Sequence, residues 1–426
     1  MKKLTFFLLI IIPFCAFSQK TILHCGKLID VVAGQIQSEM TVVVEKNTIT
    51  AVAKGYLKGE KTDQIIDLKK YTVMPGLMDM HVHITSETGR NNYLEEFTLN
   101  PADIAFRAAI YAERTLMGGF TTVRDLGGAF GVNISLRNAI NAKLVKGPRI
   151  YTAGTAIATT GGHADPTNGI RQDLMGDPGP KEGVINSSED AAKAVRSRYK
   201  EGSDLIKITA SGGVLSMAKS PDNPQFTETE IEAIVSTAKD YGFKVAAHAH
   251  GAEAMKRAIR AGVNSIEHGT YMDDEAIELF KQYGTYYIPT VTAGRSTADS
   301  AAIPGYYPEV VATKVRVVGP VSQNTFGKAW KGGVKIAFGT DAGVFAHGKN
   351  WMEFIYMNEA GMPALEAIKT ATINAADLLG VSDILGTIET GKLADIIAVE
   401  GNPAEDITSM GSVRFVMKDG VVYKKE

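Results

Sequence analysis

His81 and His83 stand two residues apart in the run Met74-Pro75-Gly76-Leu77-Met78-Asp79-Met80-His81-Val82-His83-Ile84. Apolar residues alternate along this run, so it reads as a buried strand. Pro75 and Gly76 punctuate its start, where a missing ladder donor is tolerated. Side chains two apart on a strand point to one side, so the imidazoles project together, about 6–7 Å apart along the chain. Such a pair can hold a metal ion once further ligands join it. Taken alone, it fits two polar residues on a solvated strand face equally well.

Four more residues interrupt or end apolar runs. Lys207 lies within Leu205-Ile206-Lys207-Ile208, and His248 ends Val245-Ala246-Ala247-His248. His268 ends Ile266-Glu267-His268, and Asp341 follows Ala337-Phe338-Gly339-Thr340. To meet, these side chains need a frame, and the middle of the chain supplies an alternating one. Strands are expected at 73–84, 121–125, 149–153, 204–209, 244–248, 264–268, 285–291 and 334–339. Amphipathic segments such as 102–117, 188–201, 228–241 and 252–261 separate them, and 363–379 follows the last. Eight strand–helix repeats over about 300 residues fit an α/β (β/α)8 TIM barrel better than an open doubly wound sheet. No GxGxxG follows an early strand, so a dinucleotide fold has little support. In the barrel all six residues fall at or near the C-terminal ends of strands, the face that carries the chemistry of such folds. The Gly-, Pro- and Asp-rich stretch 161–183 reads as a loop over that face.

Both chain ends are different. Residues 20–72 read as short strands with turns, and the pattern returns at 394–399, 413–417 and 420–423. The ends are expected to pair into one small discontinuous β-sandwich domain, 19–73 with 386–426, flanking a barrel of 74–385.

Three passages now carry a resemblance. The run from Pro75 to His83, the run Gly339-Thr340-Asp341-Ala342-Gly343, and the run from Gly386 to Asp395 resemble signatures of the metal-dependent amidohydrolase superfamily. They are similar to its strand-one and strand-eight motifs and to its re-entry into the small β domain. The resemblance covers essentially all of the chain beyond residue 18. It implies two divalent metal ions, expected to be zinc, one held by His81, His83 and Asp341 and the other by His248 and His268. Lys207, carboxylated by CO2, would bridge them, because two close dications repel and an anion between them reduces that repulsion. The implied reaction is hydrolysis of a C–N amide bond by a metal-bridging hydroxide, with Asp341 as general base and then acid. A structural lysine paired to a carboxylate, and satisfied core histidines, are the plain alternatives for Lys207, His248 and His268.

Within the superfamily the chain resembles the imidazolonepropionase-like branch that includes Xaa-Pro dipeptidases. Thr160-Gly161-Gly162-His163-Ala164-Asp165, Asp204-Leu205-Ile206-Lys207 running into Ser211-Gly212-Gly213-Val214, and His347-Gly348-Lys349-Asn350 carry that likeness. It implies that His163 stabilises the oxyanion, with Val214 beside it as a substrate contact; a loop histidine in water is the other reading. Dipeptidases of this branch tend to carry a tyrosine for the substrate carboxylate where this chain has His250. Arg171 and Arg295, both expected in strand-end loops, could supply that contact, or be solvated surface charges. Arg124 is expected to make a structural ion pair with a neighbouring acid. The substrate expected is a dipeptide, Xaa-Pro-like or related, or an N-acyl amino acid. The alternative is a cyclic-amide hydrolase or deaminase of the imidazolonepropionase type. A third reading is a binding protein on a degenerate barrel.

Composition narrows the setting. The 426 residues are 45% hydrophobic and 22% charged, with a formal net charge of −2, so nucleic acid is not an expected partner. Lys2 and Lys3 precede an apolar run over 4–17, and Ala16-Phe17-Ser18 offers a small-x-small cleavage pattern. Residues 1–18 therefore read as a secretory signal peptide, predicting an exported protein, periplasmic or extracellular, with no membrane span after cleavage. An N-terminal anchor, or lipidation at Cys15, stays open. Cleavage would leave Cys25 as the sole cysteine and no internal disulfide. The partner expected is a small molecule; homo-oligomer or monomer is left open.

Overall fold

The alternation of apolar residues near the chain ends becomes a single mixed sheet. In the computed structural model, which describes residues 19–426, its order is Val421–Lys425, Val413–Lys418, Ile396–Glu400, Gln64–Pro75, Lys20–Asp30, Gln35–Glu45 and Thr48–Lys54. The expected signal peptide, residues 1–18 with Cys15, lies outside the described residues. The two ends meet where Ile397 pairs antiparallel with Met74. The sheet folds over on itself as two facing layers. The Ile49 amide donates to the Lys392 carbonyl at 2.9 Å, and the Gly391 amide to the Ile49 carbonyl at 2.8 Å. Leu23, Val42, Val44, Ile66, Phe415 and Met417 are buried between them.

The expected strand at 73–84 is two strands in two sheets. Gln64–Pro75 belongs to the terminal sheet and Leu77–Val82 opens the barrel. The chain crosses between them at Gly76, whose amide donates to Asp395 O at 2.8 Å. A Cβ there would sit 2.3 Å from Thr121 Oγ1, so only glycine fits the crossing.

Seven barrel strands follow in order: Leu77–Val82, Phe120–Asp125, Arg149–Thr152, Ile206–Thr209, Val245–Ala249, Ser265–His268 and Tyr286–Ile288. They pair in parallel as a set of three and a set of four. Bridges close the ring: Ile157 to Ile208, Tyr287 to Ile336 and Val82 to Ala342. The eighth wall is an extended segment around Ile336 whose Phe338 carbonyl accepts from the Met80 amide at 2.8 Å. Parallel strands buried on both faces read as nearly continuous apolar runs, which is why a charged residue inside one stands out. Helices cover the outside. Ala252–Ala261, for example, buries Ala254, Met255, Ala258 and Ile259 as one stripe and ends at Gly262. Among the described residues no helix is long and apolar enough to cross a membrane.

Two expected elements differ, for local reasons. The strand at 285–291 stops at Ile288, and Val291–Ala301 is a helix. Its first amides, Val291 and Thr292, donate to the buried Glu353 carboxylate at 2.8 and 2.7 Å, satisfying groups that a helix start leaves free. The segment 363–379 splits into Ala364–Thr370 and Ile373–Leu379. The carbonyls of Thr370 and Ala371 leave the helical ladder to accept from Phe338 and Met78 of the barrel wall at 3.0 and 2.8 Å.

Candidate active site

Six of the eight histidines of the chain, with Lys207 and Asp341, line one cavity of about 450 Å3 at the C-terminal mouth of the barrel. Strand one brings His81 and His83 to the same side, their Nε2 atoms 3.4 and 3.3 Å from Asp341 Oδ1. His268 lies 5.0 Å from His81 and 4.7 Å from His248, ring centre to ring centre. All six candidate ligands therefore face one space.

The outward nitrogen of each ring fixes its tautomer. His81 Nδ1 is 3.0 Å from Glu267 Oε2, and His83 Nδ1 is 2.9 Å from the Gly127 carbonyl. His248 Nε2 is 2.9 Å from the Gly212 carbonyl, and His268 Nδ1 is 2.7 Å from Thr290 Oγ1. A carboxylate or carbonyl accepts only from a protonated nitrogen, so the inner nitrogens of His81, His83 and His248 carry lone pairs. Burial holds all four imidazoles neutral: His83 falls to about 4 and the others go well below 6.5. Asp341 Oδ1 is buried with no hydrogen-bond partner. Burial raises the Asp341 carboxyl to about 8, and a cation set between its Oδ1 and the two converging lone pairs would favour its ionised form.

Backbone strain gathers at the same place. Asp341, His268 and Thr290 adopt left-handed φ values of 61°, 71° and 50°. Each costs roughly 1–2 kcal/mol for a residue with a side chain and persists only where surrounding bonds hold it. Asp79 holds the first: its carboxylate accepts from Thr340 Oγ1 at 2.6 Å, from Asn350 Nδ2 at 2.7 Å and from the amides of His81 and Thr340 at 3.1 Å. Lys207 is buried, and no carboxylate lies within 4 Å of its Nζ among the described residues. Burial lowers its amine to about 8, against the upward pull of Glu267 and Asp341. A donor set of imidazoles and a carboxylate around an unpaired amine suits divalent ions.

Other expected contacts divide. His163 lies on His248 at 4.4 Å between ring centres, with Nδ1 buried and without a partner. Gly213 is pressed against it, and a Cβ there would meet the ring at 2.1 Å. Val214 and His250 are on the cavity wall, with His250 Nδ1 held 2.8 Å from Thr270 Oγ1. Arg171 and Arg295, the other candidates for the substrate carboxylate, do not line the cavity. Arg171 pairs with Asp173 at the surface. Arg295 sits on the outer side of a helix, not in a strand-end loop, and bonds to Gln323 and Glu359 at 2.6 and 2.8 Å.

Arg124 does make a structural ion pair, and its acid is Glu267, which no sequence motif singles out. Its guanidinium donates to Glu267 Oε1 at 2.8 Å, and Ser265 Oγ donates to the same oxygen at 2.6 Å. Glu267 thereby spans from Arg124 to His81. We expect Glu267→Gln to lower metal affinity or kcat about 10–100-fold, the usual cost of losing a carboxylate behind a ligand histidine. Metal titration alongside steady-state kinetics measures it; a variant indistinguishable from wild type would remove Glu267 from this role.

A closed parallel barrel with its polar cluster at one mouth, joined to a sheet made from both chain ends, defines a class of barrel hydrolases. The chain belongs to the amidohydrolase family, whose profile it matches over residues 72–423. It is similar, at 53% identity and a TM-score of 0.93, to a crystal structure of a Xaa-Pro dipeptidase with methionine bound in its active site, over 95% of this chain and 100% of that one. A prolidase complexed with N-methylphosphonate-L-proline matches at 33% identity and 0.89, over 96% and 100%. The ochratoxinase of Aspergillus niger is 32% identical over 95% of this chain and 86% of its own. Family and relatives together make the protein a hydrolase acting on C–N bonds.

Proposed function

We propose that the protein is an exported binuclear metallohydrolase that cleaves a dipeptide, Xaa-Pro or related, or an N-acyl amino acid. One observation carries the reading: the lone pairs of His81 Nε2 and His83 Nε2 converge on the orphaned Asp341 Oδ1, 3.4 and 3.3 Å away. His81, His83 and Asp341 would hold one divalent ion, zinc by the donor set, and His248 and His268 a second. Lys207, buried without an anion, would join them as its carbamate. Bound there, such ions lower the pKa of water and polarise a carbonyl oxygen. The support for export is the sequence of residues 1–18.

The rest is done by the chain. Asp341 takes the proton of the attacking water and delivers it to the leaving nitrogen. His163, free at Nδ1, donates to the oxygen on which negative charge develops. Leu126, Ala156, Val318 and Val344 give the cavity apolar walls, favouring an uncharged side chain next to the scissile bond.

A panel of Xaa-Pro and other dipeptides and N-acyl amino acids, offered to protein loaded with zinc and bicarbonate, tests this. Release of free amino acid without ammonia is the expected result. Ammonia from deaminase substrates, with every peptide and N-acyl compound untouched, would replace the proposal with the deaminase reading.

A further inference from the structure

Lys314 is a buried cation that the chemistry above does not use. It sits on the helix Glu309–Lys331, the same helix that brings Val318, Gly319 and Ser322 to the cavity wall. No carboxylate pairs with it among the described residues. Its Nζ instead donates to three backbone carbonyls of the turn after strand four: Gly213 at 2.7 Å, Ser216 at 2.6 Å and Ala218 at 2.7 Å. All three ammonium protons are used, so Lys314 cannot itself reach a ligand.

What it does is orient the turn. In a trans peptide the N–H points opposite to the C=O. Drawing the Gly213 carbonyl toward Lys314 therefore turns the Val214 N–H away from it. Val214 and Leu215 are cavity residues, and the Val214 N–H has no acceptor among the described residues. A backbone donor left free beside a buried positive charge, on the wall of a ligand cavity, is a site for an anion. Burial lowers the lysine to about 8, so it is still cationic at neutral pH. Its charge also reaches His163 and His250, disfavouring their protonation.

We propose that Lys314 is a positioning residue for substrate specificity: by clamping the 213–218 turn it presents the Val214 N–H, and a positive field, to the free carboxylate of the substrate. This rests on the peptide-hydrolase reading above, and it supplies the anion contact that Arg171 and Arg295 do not. The test compares methionyl-proline with its C-terminal amide, which differs only in the carboxylate. In zinc-loaded wild type, kcat/KM should favour the acid. In Lys314→Met that preference should fall about tenfold, the change lying in KM for the acid while the amide is little altered. Lys314→Arg, which keeps charge and donors, should retain most of it. Lys314→Gln, still able to donate to two of the carbonyls, serves if the methionine variant does not fold. If wild type cleaves neither, the same acid–amide comparison is made on the best substrate of the panel above, and a wild type that cleaves no member of that panel overturns both readings. A wild type that cleaves them, with the acid-to-amide ratio unchanged in the neutral variants, overturns this one alone and reduces Lys314 to a structural clamp.

Discussion

Asp341→Asn should abolish turnover, lowering kcat by about a thousandfold or more, while the protein folds as before. The size follows from removing the proposed proton carrier, alone worth about 10²–10⁴-fold, together with one oxygen of the proposed metal site. The intact fold follows from the backbone. Asp341 has φ 61°, and asparagine is among the few residues with a side chain that enter this region readily. The exchange also replaces a carboxyl whose ionised form is penalised by burial with a neutral group of the same shape. The metal-free variant should therefore melt close to metal-free wild type near neutral pH, since burial already favours the uncharged carboxyl there. Lys207→Ala, made alongside, should lose activity to a similar degree for a different reason, the loss of the proposed bridging carbamate. Steady-state kinetics, circular dichroism and melting curves on both variants check this. Retained turnover in either, in well-folded protein, would sink the proposed site.

Much of this was legible in the sequence because the barrel makes polar residues conspicuous. A lysine inside Leu205-Ile206-Lys207-Ile208, or histidines ending apolar runs, cannot be ordinary surface residues, since parallel strands are covered on both faces. The partners that fix those residues were less legible. Glu267 sits in the same strand as His268 and reads as a lone acid. That it holds His81, 186 residues earlier, follows from ring closure, which local periodicity does not report. Its signal was there all the same, a buried acid two strand positions from Ser265. Arg295 was misplaced because 285–291 reads as one apolar strand. The start of a helix at Val291 depends on Glu353, more than sixty residues further on. Lys314 escaped notice for the converse reason. On an amphipathic helix a lysine reads as solvated, and only the fold shows three carbonyls around it.

Stripping the metal should silence the enzyme completely and leave a protein that is sensitive to mild acid. Activity should return only with divalent ion, at two equivalents per chain, and faster or further when bicarbonate is present to carboxylate Lys207. One equivalent at full activity would favour the one-metal alternative, and restoration independent of bicarbonate in CO2-free buffer would remove the carbamate. The acid sensitivity comes from the histidines. In the unfolded chain each takes up a proton near pH 6.5, whereas in the folded protein His83 does so only near 4, and His163 and His250 near 3. Between these values the unfolded state binds more protons at the imidazoles, so their contribution to stability rises with pH across that window and is lost as pH falls through it from about 6.5 toward 4. The raised Asp79, Asp125 and Glu353 carboxyls act in the opposite sense. Bound ions compete for the same lone pairs on His83 and its neighbours, so loaded protein should hold its melting temperature further down in pH than stripped protein. Melting curves from pH 7.5 to 4.5, with and without zinc, measure the separation. Coincident curves would mean that the imidazoles are neutral for packing alone, and that the convergence of His81, His83 and Asp341 holds no ion.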